Sequence, residues 1–172
     1  MTEPSPAPSS PVPVLFLVAD TGGGHRAAAQ AVAGCLRQAW PGRFEPVLLD
    51  PLAGPGSAWL LRCVARLYGP VIRHVPWLWG AAYRVTNSRP VMTMLDRTLL
   101  RLADRPVARA VTALAPALVV SFHPLVNGAA TRAAEDARPG PGWLPLFTVV
   151  TDLGRVHAAW RHGRADWLVV PP

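Results

Sequence analysis

Five histidines and ten carboxylates make up the acid–base inventory of this 172-residue chain, and their placement beside glycines and apolar runs decides which of them can do chemistry. The run Asp20-Thr-Gly-Gly-Gly-His25 lies between a short apolar segment and an alanine-rich one. Consecutive glycines let the backbone approach a ligand, and a helix beginning there favours negative charge. A tight strand-to-helix turn without any ligand would use glycine as well. His25 falls in the first helical turn, where the positive end of the dipole lowers the imidazole pKa and keeps the ring neutral and basic. His123, in Ser121-Phe-His-Pro124, and His157, a few residues after Thr151-Asp-Leu153, also follow apolar runs and should face the same crevice. Asp152 sits just past a wholly apolar run, where a carboxylate orients a base, binds a hydroxyl or caps a turn.

Composition removes several mechanisms. The chain carries 17 arginines and no lysine against 10 acids, a formal charge of +7. Without an ε-amine there is no Walker-type phosphate lysine, no pyridoxal Schiff base and no lysine nucleophile. The three glycines do not spell GxGxxG, and no GxSxG elbow is present. HExxH is absent and no histidine pair has i, i+4 spacing, so no metal site is expected. Cys35 and Cys63 lie in apolar helical stretches without a CxxC and are expected to be core thiols. Basic charge invites nucleic acid as a partner, but the arginines are spread along helices and no finger, RRM or KH signature accompanies them, so no nucleic acid is expected.

The elements that must position these residues follow from periodicity. Short apolar runs at 14–19, 47–50, 117–121, 146–151 and 167–170 read as strands, the first of them buried on both faces, separated by helical patterns. The first helix, from His25 to about Trp40, is expected to bury Ala28, Val32, Cys35, Leu36 and Ala39. Strands alternating with helices predict an α/β fold, a doubly wound parallel sheet with helices on both faces, whose ligands bind beyond the carboxyl ends of the strands. Asp20, Asp50, His123 and Asp152 mark those ends. Residues 1–13, with five prolines and no basic n-region, read as a disordered tail, and 14–172 as one domain. Residues 138–142 read as a surface loop.

Between the second and third strands the rhythm changes to several consecutive helices. Trp59, Leu60, Cys63, Val64 and Leu67 form one apolar face flanked by Arg62 and Arg66, and Trp77 and Trp79 follow. Tryptophan favours the headgroup zone of a bilayer and arginine attracts anionic phosphates, so Trp59, Arg62, Arg66, Trp77 and Trp79 are candidate membrane contacts. An amphipathic helix packed into its own core has the same periodicity, so the pattern alone leaves both readings open.

Three segments together carry a resemblance. The opening Val14-Leu-Phe-Leu-Val-Ala-Asp-Thr-Gly-Gly-Gly-His-Arg-Ala-Ala-Ala29, the exit Ser121-Phe-His-Pro124, and Phe147-Thr-Val-Val-Thr-Asp-Leu153 with His157 and Trp160 resemble, in this order, the monogalactosyldiacylglycerol synthase and processive diacylglycerol glucosyltransferase family. The resemblance implies the N-terminal, Rossmann-like half of a GT-B glycosyltransferase. That half takes the lipid acceptor, while a C-terminal domain, which this chain does not match, grips the nucleotide sugar. It implies transfer of a hexose from a nucleotide sugar, a UDP-sugar, to diacylglycerol at an anionic membrane surface, with the sugar nucleotide as co-substrate and no cofactor or metal. His25 would be the base; Asp152 and His157 would assist it or shape the acceptor pocket; Thr21, Gly22, Gly23, Gly24 and His123 would contact acceptor or donor. The expected location is cytoplasmic, peripheral on the inner face of the cell membrane. A lipid-binding module without catalysis, or a glycosyltransferase acting on another lipid-linked acceptor, are the alternatives.

Overall fold

The computed structural model describes residues 10–21, 23–137, 144–152 and 156–171. The tail up to position 9, Gly22 and the expected loop at 138–142 lie outside them. Five strands form one parallel sheet in the order β2-β1-β3-β4-β5: β1 Val12–Leu17, β2 Phe44–Leu49, β3 Leu118–Ser121, β4 Leu146–Val149 and β5 Trp167–Val169. The chain goes from β1 outward to β2 on one side and returns to β3 on the other. The carboxyl ends of β1 and β3 therefore flank the crevice in which such sheets bind ligands.

Strand starts differ from the periodic reading because pairing, not hydrophobicity, sets them. Val12 pairs with Phe44 and Leu17 with Leu49, which draws Val12 and Pro13 into β1 and extends β2 back through Pro46. Pro46 is tolerated because β2 is an edge strand and owes no outward N–H. Arg37 donates to the Pro46 carbonyl at 3.3 Å.

Both faces of β1 are covered, as a doubly wound sheet requires. Val14, Phe16 and Val18 pack with Val120, Phe122 and helix α1 (Gly24–Ala39). Leu15, Leu17 and Ala19 pack on the other face with Val107 of α5 (Asp104–Leu114) and the alanines of α6 (Asn127–Asp136). A Phe or Leu buried this completely contributes about 2 kcal/mol. Helix α1 is phased differently from expectation: it buries Ala29 and Ala33, while Val32 and Cys35 are exposed and Cys63 is half-buried. The expectation of core thiols is thus corrected. Side chains that stop at Cβ let the α1 axis lie close to the sheet, and that close contact outweighs burial of the larger residues beside them.

The insertion between β2 and β3 holds α2 (Trp59–His74), α3 (Pro76–Thr86) and α4 (Arg89–Arg97) before α5. Within α2 only Leu61 is buried, and α3 buries nothing. Trp59 is 68% exposed and Trp77 73%. Most of the apolar surface of α2 and α3 is therefore exposed among the described residues. No helix among the described residues is long and apolar enough to cross a membrane.

A charge cluster joins the helices behind the crevice. Arg132 of α6 grips Asp96 of α4 at 2.7 and 3.2 Å and Asp104 of α5 at 2.9 and 2.6 Å. His162 Nε2 reaches the same Asp96 at 3.2 Å. Burial pushes the Asp96 carboxyl up, but hydrogen bonds from Arg132 and His162 outweigh it and hold the group below the usual carboxylate range. Gly128 makes the approach possible, since a Cβ there would overlap the Asp96 carboxylate. Gly128→Ala should therefore lower unfolding free energy by about 3 kcal/mol in a denaturant melt, because it overpacks a buried ion pair; a wild-type midpoint would contradict this account.

Candidate functional site

Three strand ends and one helix start converge. After β1 the chain runs through Ala19, Asp20 and Thr21 to Gly23, whose φ of +80° is left-handed and suits glycine at the helix N-cap. Side chains added at Gly23 or Gly24 would meet nothing within 4 Å, so the loop backbone stands open. Asp50, at the end of β2, fixes this loop from below: its carboxylate accepts from the Asp20 N–H at 3.0 Å and from Leu52 and Ala53 at 2.9 and 2.8 Å. Gly54 closes that turn, since a Cβ there would run into the Asp50 carbonyl. Arg26 lies 3.7 Å from Asp20 and 3.9 Å from Asp50, balancing both charges.

Two of the three histidines expected at the crevice meet. The His25 and His123 rings are 4.5 Å apart, edge to face. His123 is 4% exposed; its Nδ1 accepts the Leu125 N–H at 3.3 Å, so the neutral ring carries its proton on Nε2, which donates to Thr21 Oγ1 at 2.8 Å. Burial, with His25 adding to it, pushes His123 down to about 3, so it is a fixed neutral donor. His25 is half-buried, with Nδ1 2.5 Å from the Thr151 hydroxyl. Burial lowers its pKa, while the Asp152 charge and a hydrogen bond to the Phe122 backbone act in the opposite direction. The result is a neutral imidazole that keeps basicity.

Asp152 is held by the Trp160 indole, whose Nε1–H donates to Oδ2 at 2.6 Å. Trp160 is 3% exposed, and its ring lies 6.0 Å from that of His25. It belongs to a 3-10 turn, Ala158–Arg161, that His157 begins. His157 Nδ1 accepts from Ala159 N–H at 3.1 Å, and Nε2 contacts Thr86 at 3.1 Å. Its ring stacks edge to face on Tyr83 at 4.7 Å. Burial lowers the His157 pKa against a hydrogen bond to the Tyr83 backbone and the Asp152 charge.

Of the residues expected from sequence, Thr21, Gly23, Gly24, His25, His123, Asp152 and His157 thus share one crevice, and Gly22 lies outside the described residues. Trp59, Arg62, Arg66, Trp77 and Trp79 lie on α2 and α3, apart from these hydrogen bonds. Thr151, Trp160, Tyr83 and Thr86 are site neighbours that pattern reading did not assign. Trp160 carried a signal, three residues beyond His157; Tyr83 and Thr86 arrive only through packing of the end of α3 against the 158–161 turn. Among the described residues no group of three or more His, Cys, Asp or Glu side chains is arranged to hold a metal ion.

Comparison with known proteins points to one family. The family model described as monogalactosyldiacylglycerol (MGDG) synthase matches residues 25–172, beginning at His25. The chain is similar to the chloroplastic monogalactosyldiacylglycerol synthase of Spinacia oleracea, 32% identical over 158 residues, covering 90% of this chain and 29% of that protein. It is similar also to a probable monogalactosyldiacylglycerol synthase 2 of Oryza sativa subsp. indica, 32% identical with 87% and 31% covered, and to monogalactosyldiacylglycerol synthase 1 of Arabidopsis thaliana, 29% identical with 88% and 28% covered. The chain thus spans about three tenths of the length of these relatives. All three are chloroplastic proteins, a finding that overturns the expected place on the inner face of the cell membrane. With the family model covering most of the chain, and a relative 32% identical over 90% of it, the chain belongs to the monogalactosyldiacylglycerol synthase family.

Proposed function

We propose that these residues form the acceptor-side domain of a GT-B glycosyltransferase that moves a hexose from a nucleotide sugar to diacylglycerol. The relatives' names specify galactose and diacylglycerol, and a UDP-sugar is the proposed donor, held by a second domain outside these residues. The observation that carries the reading is a neutral imidazole, His25, at the start of α1, with a hydroxyl 2.5 Å from its Nδ1 and the Asp152 charge close by.

In the proposed step His25 takes the proton of the acceptor hydroxyl as that oxygen bonds to the anomeric carbon, and the bond from that carbon to the nucleoside diphosphate breaks with inversion. Asp152, fixed by Trp160, stabilises the imidazolium that forms. His123 stays neutral throughout and fixes the Thr21 hydroxyl. The exposed Trp59 and Trp77, with Arg62 and Arg66 beside them, dock the domain on the anionic surface that holds the lipid. That same face is what a non-catalytic membrane module would use, and His25 separates the two readings.

His25→Ala in the full-length protein should cut sugar transfer to diacylglycerol by about a hundredfold or more while leaving the circular dichroism unchanged; near-normal turnover rejects the base. Because burial holds His25 below its ordinary 6.5, activity is present with the ring neutral and is lost as pH falls through that lowered value. Asp152 raises this pKa, so Asp152→Asn should move the acid limb of kcat/KM to lower pH as well as depress its plateau. Binding to anionic vesicles should weaken as salt rises, since exposed charges are screened beyond about 8 Å at physiological ionic strength; salt-independent binding would assign docking to the tryptophans alone.

A further inference from the structure

His157 is 8% exposed, and both of its ring nitrogens are occupied. Burial keeps the ring neutral, and Nδ1 accepts from the Ala159 N–H at 3.1 Å, which leaves the one ring proton on Nε2. That proton goes to Thr86 Oγ1 at 3.1 Å, and the Thr86 hydroxyl donates in turn to the Ala82 carbonyl at 2.8 Å. The direction of every bond in this chain is thus fixed, and the chain ends on the backbone of α3. One residue beyond His157, the Ala158 N–H donates to Asn87 Oδ1 at 2.7 Å, and Asn87 is the C-cap of α3. The end of α3 therefore grips the start of the 158–161 turn at two hydrogen bonds, although α3 buries none of its own residues. Within that turn the Trp160 backbone N–H donates to the His157 carbonyl at 3.0 Å, and the Trp160 indole donates to Asp152. Among the described residues this indole is the hydrogen-bond donor that the Asp152 carboxylate meets.

We infer that His157 is a positioning residue that exchanges no proton: with Thr86 and Asn87 it fastens the 158–161 turn to α3, and so sets where Trp160 holds the Asp152 charge against His25. The inference rests on His25 as the base and deepens that reading. An imidazole that transfers a proton needs a lone pair or an N–H aimed at the substrate, and among the described residues His157 has both engaged by the protein. The pull of Asp152 on the His25 proton weakens as the two move apart, so a displaced turn lowers the proton affinity of His25. The other titratable groups at this pair are His123, which faces His25, and Tyr68 and His157, which lie in the field of Asp152.

In the full-length protein, Thr86→Val removes the acceptor of the His157 proton and Thr86→Ser keeps it. Thr86→Val should lower kcat for sugar transfer about tenfold or more and move the acid limb of kcat/KM to lower pH, the direction set by Asp152→Asn, while Thr86→Ser keeps the wild-type profile. His157→Asn can still cap the turn but does not span to Thr86, so it should follow Thr86→Val. Asn87→Ala, at an exposed position, breaks the second fastening without opening a buried group and should shift the limb the same way by less. In the Asp152→Asn background Thr86→Val should shift the limb no further, because its effect passes through that carboxylate. An unmoved limb in the folded variants, with Asp152→Asn still moving it, overturns the inference and leaves the base standing, and an additive shift in the double variant overturns it as well. Loss of transfer in His157→Asn with normal transfer in Thr86→Val overturns it by giving His157 a part in the chemistry. Near-normal turnover of His25→Ala rejects the base, and this inference with it.

Discussion

Asp96 is a carboxylate with little access to water, and its charge has to be matched where it lies. Arg132 from α6 and His162 from the end of the 158–161 turn both meet it, and Arg132 extends the pairing to Asp104 of α5. Three helices and the turn that carries His157 and Trp160 are thereby fixed relative to one another. The turn is tied again where the Thr131 hydroxyl and the backbone of Arg164 meet at 2.8 Å. The indole that holds Asp152 therefore rests on a rigid support.

The parallel sheet supplies the other half of the arrangement. Burying both faces of β1 leaves only its ends for polar residues, so Thr21, His25, His123, Thr151 and Asp152 gather at one edge of the core, where solvation is poor. Desolvation then divides the imidazoles into distinct states. His123, enclosed and hydrogen-bonded at both nitrogens, is a permanent donor; His25, half-exposed and within reach of the Asp152 charge, keeps proton affinity. One environment thus sets a fixed hydrogen-bond donor beside a proton acceptor 4.5 Å away.

Helices α2 and α3 have a different character from the rest of the fold. Leu61 is the one α2 residue that is buried, and the remaining apolar surface faces outward with arginines beside it. Yet Tyr83 and Thr86 of α3 touch His157, and Tyr68 of α2 is turned up in its titration by burial and by the Asp152 charge. An outward apolar face and inward polar contacts on the same two helices give a short path between that exposed face and the imidazoles of the crevice.

Much of this was written locally. The runs at 14–19, 117–121 and 146–151 are apolar enough to be strands in any context, and glycines before an alanine-rich helix place His25 in its first turn whatever surrounds them. These features arise from interactions between near neighbours, so sequence carries them. Other features depend on what packs against what. Ala29 and Ala33 rather than Val32 and Cys35 face the sheet because close approach of α1 favours small side chains, and β2 starts at Phe44 because β1 offers it partners there. Whether Trp59 and Trp77 were core or surface could not follow from periodicity, since a helix buried in protein and one laid on lipid repeat alike. Which hydroxyl meets His25, which indole holds Asp152 and which carboxylate binds His162 are contacts between residues far apart in the chain. Only the folded arrangement decides them, because hydrogen bonds and ion pairs are set by distances of about 3 Å that no local pattern encodes.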